Sequence, residues 1–140
     1  MLRAITFAFL ICVVSLSCQS YSTGLQQSVA RADETAATGA LRTIATAQQT
    51  YSVTNGGSYG SFQQLCAGGY LDSRFNFEKP VLKDYVLTME NGSYSEGPYF
   101  HVNAEPTGTG AGRHFYIDQS STLRVNATQP ASASDPVAER

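Results

Sequence analysis

The sequence has no tryptophan, two histidines and three cysteines, and Asp, Glu, Lys and Arg together make up only 14% of it. Each scarcity excludes something. Lys and Arg are nowhere clustered and the formal net charge is −2, so a surface for nucleic-acid phosphates is not expected. No C-x-x-C or H-E-x-x-H pattern is present, and no G-x-S-x-G elbow, P-loop or G-x-G-x-x-G turn. The sequence therefore predicts no enzyme, no cofactor and no metal site. "GTGAG", residues 108–112, is Gly-rich but lies between two strand-like runs with no helix after it, which suits a hairpin loop rather than a phosphate cradle.

A long apolar run is also missing. After Arg3 comes "AITFAFLICVVSLS", fourteen residues without a charge, whereas spanning a bilayer takes about 20. A basic start, an apolar middle and small residues at a cleavage point match a signal peptide over residues 1–17. Ser15-Leu16-Ser17-Cys18 fits a relaxed lipobox with the order of its first two residues inverted. Lipid attachment at Cys18 is the leading reading, with ordinary secretion and an uncleaved anchor as alternatives. A Cys18–Cys66 disulfide is disfavoured on length. A helix of about thirty residues covers roughly 45 Å at 1.5 Å per residue, and the chain left before Cys66 reaches back only about 40 Å. Cys66 reads as a small buried hydrophobe with no neighbouring charge to activate it.

What is present is a long periodic stretch. Thr23 and Gln26 have the spacing of a capping box. Leu25, Val29, Ala32, Ala36, Ala40, Ile44, Ala47 and Tyr51 then recur at intervals of three and four, one stripe on a helix. "TNGG", residues 54–57, is a stop. The stripe is mostly alanine, so the helix needs either a sheet or other subunits against it. Ser61 to Cys66 suits one short helical turn, ended by Gly68 and Gly69.

Four runs then alternate with period two: "DYVLTMEN", "PYFHVNAEP", "RHFYID" and "TLRVN". Placing Phe100 opposite Ile117, Val102 opposite Phe115 and Phe115 opposite Val125 gathers the large apolar side chains on one face. His101 and His114 then share the outer face, opposite Tyr116 and Asn103, and Asp118 closes the turn at Gln119-Ser120-Ser121. The predicted fold class is α+β: a long N-terminal amphipathic helix packed on a small antiparallel sheet of three to four strands. The organisation reads as signal peptide 1–17, anchor linker 18–23, α+β domain 24–127 and disordered tail 128–140. Tyr59, Tyr70, Tyr94 and Tyr99 fall in loops or on the outer face and form a candidate binding surface.

Two stretches carry a family resemblance. "ADETAATGALRTIATAQQTYSV", residues 32–53, resembles the amphipathic half of the long helix in type IV pilin-like and major-pseudopilin-like proteins. "GRHFYIDQSSTLRVN", residues 112–126, is similar to their final hairpin, a G-R-x-F-x-x-D-x-S-G-x-I-R pattern. Ser121 stands where that pattern has a turn glycine, and no prepilin cleavage site with its apolar half-helix is present. The resemblance implies a non-enzymatic envelope protein acting through protein–protein contacts near a type II secretion or type IV pilus system. With the lipid at Cys18, it would be exported and membrane-anchored, on the periplasmic or the outer surface. The alternative is a secreted or surface binding module for a glycan or partner protein; an envelope enzyme with an unrecognised site is third.

Overall fold

The computed structural model describes the backbone of residues 2–108 and 112–139, and within them the side chains from Thr23 onward. Helix α1 runs Leu2–Thr54. The expected start at Thr23 is therefore a position inside the helix. No Gly or Pro precedes Gly24, so nothing breaks the backbone there. The stop is where "TNGG" puts it: Gly56 and Gly57 take φ of 64° and 86°, conformations that glycine alone adopts without steric cost. Helix α2, Phe62–Ala67, starts at a Ser61–Gln64 capping box, and a 3₁₀ turn follows at Ser73–Phe75.

The sheet has five strands rather than three to four: β1 (Val81–Leu82), β2 (Tyr85–Tyr94), β3 (Gly97–Pro106), β4 (His114–Asp118) and β5 (Arg124–Asn126). They form an antiparallel meander in chain order. The strand that went unpredicted is β1. It is two residues long, and its turn into β2 uses Lys83 at φ 53° in place of a glycine, so neither alternation nor turn chemistry marks it.

The β3–β4 register differs from the expected one by two residues. Val102 faces Ile117, Ala104 faces Phe115, and His101 faces Asp118. A two-residue shift keeps every side chain on its own face, so hydrophobic patterning does not discriminate between the registers. The β4–β5 register has Phe115 opposite Val125.

The core lies between the inner sheet face and one half of α1. Ala37, Leu41, Ile44, Ala45 and Gln48 meet Leu87, Phe100, Val102, Phe115 and Ile117, and Phe62, Leu65 and Phe75 close one end. The expected stripe is buried only from this point on. Leu25 and Val29, at its start, are 52% and 58% exposed.

Residues 128–139 correct the expectation of a disordered tail. Ala131 is buried, Val125 N donates to Pro136 O and Ala138 N donates to Leu123 O. Arg124 Nη1 donates to Asp135 O and Asn126 Nδ2 to Asp135 Oδ1. Hydrogen bonds to the free edge of β5 hold this segment, and a composition poor in large apolar residues does not reveal them.

Candidate functional site

The outer face of the sheet divides into two parts. Around Asn103, Arg124 and Asn126 the C-terminal segment lies over it, with Asn103 Nδ2 donating to Ala131 O at 2.7 Å. Towards the β2–β3 turn the face is open. There Tyr94 on β2, Tyr99 and His101 on β3 and Tyr116 on β4 form a row. Tyr94 and Tyr99 stack with centroids 4.0 Å apart and planes 5° from parallel. Tyr99 and His101 follow at 6.4 Å and 17°, then His101 and Tyr116 at 5.6 Å and 23°.

The backbone makes this row possible. Tyr94 pairs with Gly97 and Tyr99 with Gly92 across the hairpin, which puts both tyrosines on the outer face. A Cβ at Gly92 would sit 3.1 Å from the Tyr99 ring, so the absence of a side chain there lets the ring lie over the strand. Gly97 takes φ 127° to close the short Ser95-Glu96 turn. Tyr94 is the most open member, 65% exposed.

Carboxylates flank the rings. Glu90 lies opposite His101, its Oε2 3.6 Å from His101 Nε2, and its side chain is 68% exposed. Asp118 also faces His101 from β4 and accepts from Ser120 N and Oγ, closing its turn. Burial first, then the Asp118 charge and hydrogen bond, push the Tyr116 phenol up to about 12. A hydrogen bond with Tyr94 pushes the Tyr99 phenol up, with smaller contributions from burial and from the charge of Glu90.

Of the four tyrosines singled out from the sequence, only Tyr94 and Tyr99 meet. Tyr59 packs edge-on against Phe100 at 4.8 Å, and its carbonyl accepts from Asn91 Nδ2. Tyr70 packs edge-on against Tyr51 at 5.5 Å and shares a hydrogen bond with Thr54 Oγ1. Both belong to the packing around the end of α1. Sequence reasoning missed Glu90; it set His101 directly opposite Tyr116, whereas the two are diagonal neighbours, His101 facing Asp118 and Tyr116 facing Asn103, and it did not join them to Tyr94 and Tyr99. It ended β2 near Asn91, and the signal it lacked was the Ser-Glu-Gly turn at 95–97, which extends the hairpin to Tyr94.

His114 lies apart from the row, its Nδ1 against Glu105 Oε2. Cys66 is half-buried and its Sγ donates to Asp72 O; burial, then the charge of Asp72, push its thiol up, which makes it a poor nucleophile. Among the described residues no group of three or more His, Cys, Asp or Glu is placed to hold a metal ion. No helix among them is long and apolar enough to cross a membrane. The side chain of Cys18 and most of the "GTGAG" loop lie outside the described residues. No known family model matches the chain, and no curated protein or solved structure is significantly similar to it.

Proposed function

We propose that this is a non-enzymatic envelope protein, related to the type IV pilin-like proteins and held at a membrane through lipid on Cys18. It binds a protein partner through the open half of its outer sheet face, near a secretion or pilus system. The observation that carries the binding role is the row of four aligned rings. Core packing accounts for none of them, since the inner face is filled by other residues. The kinship is supported by the ion pair of Glu34 with Arg113, which ties together the two stretches that carry the resemblance.

A photo-crosslinking residue in place of Tyr94, in cells, tests the binding role. The expected result is a discrete cross-linked envelope protein, absent when the same residue replaces Val53 at the far end of α1. Equal labelling from both positions, or none from Tyr94, overturns it. Mass spectrometry of the mature N-terminus tests the anchor: a peptide starting at an unmodified Cys18 removes it.

A further inference from the structure

The row also carries information about what it binds. Its rings stand nearly parallel, and the closest pair, Tyr94 and Tyr99, lies face to face. One face of Tyr94 is covered by Tyr99, and the ring is otherwise open. Two electron-rich phenols stacked this closely present their negative faces along one line, and a cation over the open face of Tyr94 is attracted by both. The charge of the hairpin points the same way. From Tyr85 to His101 it contains Glu90 and Glu96 and neither Lys nor Arg. Glu96 is exposed in the turn beside Tyr94. Among the described residues, the ionic neighbour of Glu90 is His101 Nε2 at 3.6 Å, and the Glu90 side chain is 68% exposed, so its carboxylate is accessible to a partner. Arg124, opposite Tyr116 on the outer face, donates its Nη1 to Asp135 O.

We infer that the open half of the outer face takes an arginine-bearing basic segment of a partner protein. One guanidinium lies over Tyr94, and Glu90 and Glu96 supply counter-charges along the row. Arginine fits better than lysine because its guanidinium is planar, stacks on aromatic faces and is weakly hydrated. The net negative charge of the chain steers such a segment towards the face. This inference rests on the reading that the open outer face is the binding surface.

The test is a nuclear magnetic resonance titration of the full mature chain with three probes. These are the peptide Gly-Arg-Gly-Arg-Gly, the same peptide with citrulline for arginine, and an N-acetylglucosamine trimer. The Tyr94 and Tyr99 ring signals are expected to shift saturably with the arginine peptide. Citrulline should weaken binding about tenfold, the size of a good cation–π contact. Glu90→Gln and Tyr94→Ala should each weaken the arginine peptide, with the remaining spectrum unchanged to show that the variant is folded. Equal shifts with arginine and citrulline, or shifts with the sugar alone, overturn the cationic partner and leave the surface standing. If no probe moves the rings, both the partner and the surface reading fall.

Discussion

Arg113, just before β4, grips Glu34 on α1 across 79 residues of chain. Its backbone N donates to Oε1 at 3.0 Å, its Nε reaches both carboxylate oxygens at 3.2 Å, and its Nη2 donates to Oε2 at 2.8 Å. The Glu34 side chain is only 12% exposed. Burial raises its pKa, but the hydrogen bonds and charge of Arg113, helped by Arg31, outweigh that and hold the carboxyl below its ordinary range. The pair clamps the helix to the sheet where the apolar contacts give out, one turn before Ala37.

Arg113→Gln is expected to cost about 1–2 kcal/mol at pH 7, the value of charge-assisted hydrogen bonds discounted for the half-exposed arginine. Because the folded pKa of Glu34 is depressed, its contribution is present above the unfolded value of about 4.3 and is lost as pH falls through the folded one. Urea unfolding should therefore show a smaller gap between the variant and the parent at pH 3 than at pH 7. A gap of the same size at both pH values contradicts this account.

Among the described residues Gln48 is the one buried polar residue outside the hydrophobic set, and it is fully buried. Its Nε2 donates to Gly60 O at 2.6 Å and its Oε1 accepts from Gly60 N at 2.9 Å, pinning the loop after α1 to the helix. Gln48→Leu removes both partners from a buried backbone. The expected cost is about 2–4 kcal/mol, since each unsatisfied buried group costs about 1–3. A urea midpoint within error of the parent's would show that water or a shifted loop satisfies Gly60 instead.

Parts of this fold were legible because they rest on local chemistry. Thr54 to Gly57 stops the helix, Ser61 and Gln64 cap α2, and Asp118 closes its own turn. Each rests on a side chain, or on the lack of one at Gly56 and Gly57, acting on backbone a few residues away. The errors lie where one pattern admits two structures. Alternation specifies the face of Phe100, Val102 and Phe115 but not which of two registers β3 and β4 adopt. The clasp of Asp135 on Arg124 and Asn126 uses ordinary polar residues whose partners are unknown until the strands are placed. The aromatic row escaped for the same reason. Tyr94, Tyr99, His101 and Tyr116 come from three strands, and only the hairpin pairing of Gly92 with Tyr99 brings them into line.

Gly39 lies inside α1, where glycine costs about 1 kcal/mol relative to alanine unless a bend or a close contact requires it. It is exposed within α1, and a Cβ there would meet nothing within 4 Å. The position needs neither a bend nor a close approach, so Gly39→Ala should stabilise the protein by about 1 kcal/mol through helix propensity. A thermal scan that shows no rise in midpoint would indicate that α1 is not helical there in solution.

The reverse exchange applies at Ser121, which takes φ 58° in the β4–β5 turn. The left-handed region costs an L-residue about 1–2 kcal/mol, and part of that gain is returned through the greater unfolded freedom of glycine. Ser121→Gly should therefore stabilise by about 0.5–1 kcal/mol. Ser121→Ala, which keeps the Cβ, should not. If both changes shift the urea midpoint alike, backbone strain is not the cause.

Two tyrosines set an alkaline limit. Burial first, then the charge of Glu34, push Tyr85 up to about 12, and Tyr116 is raised as far by burial and Asp118. Tyr85 also donates to Arg113 O at 2.8 Å, so its phenol and the Glu34–Arg113 clamp meet at one point. A folded pKa above the unfolded value of about 10 means that each contribution is complete below pH 10 and is lost as pH rises towards 12. The phenolate absorbance should show late-ionising groups, Tyr85 and Tyr116 among them, one of which is missing in Tyr85→Phe, and unfolding should set in over that window. Tyr85→Phe also loses the hydrogen bond to Arg113 O, so its stability at pH 7 should fall by about 1 kcal/mol while its alkaline slope becomes shallower. A variant that is equally stable at pH 7 and keeps the parent's slope would place the alkaline transition elsewhere in the molecule.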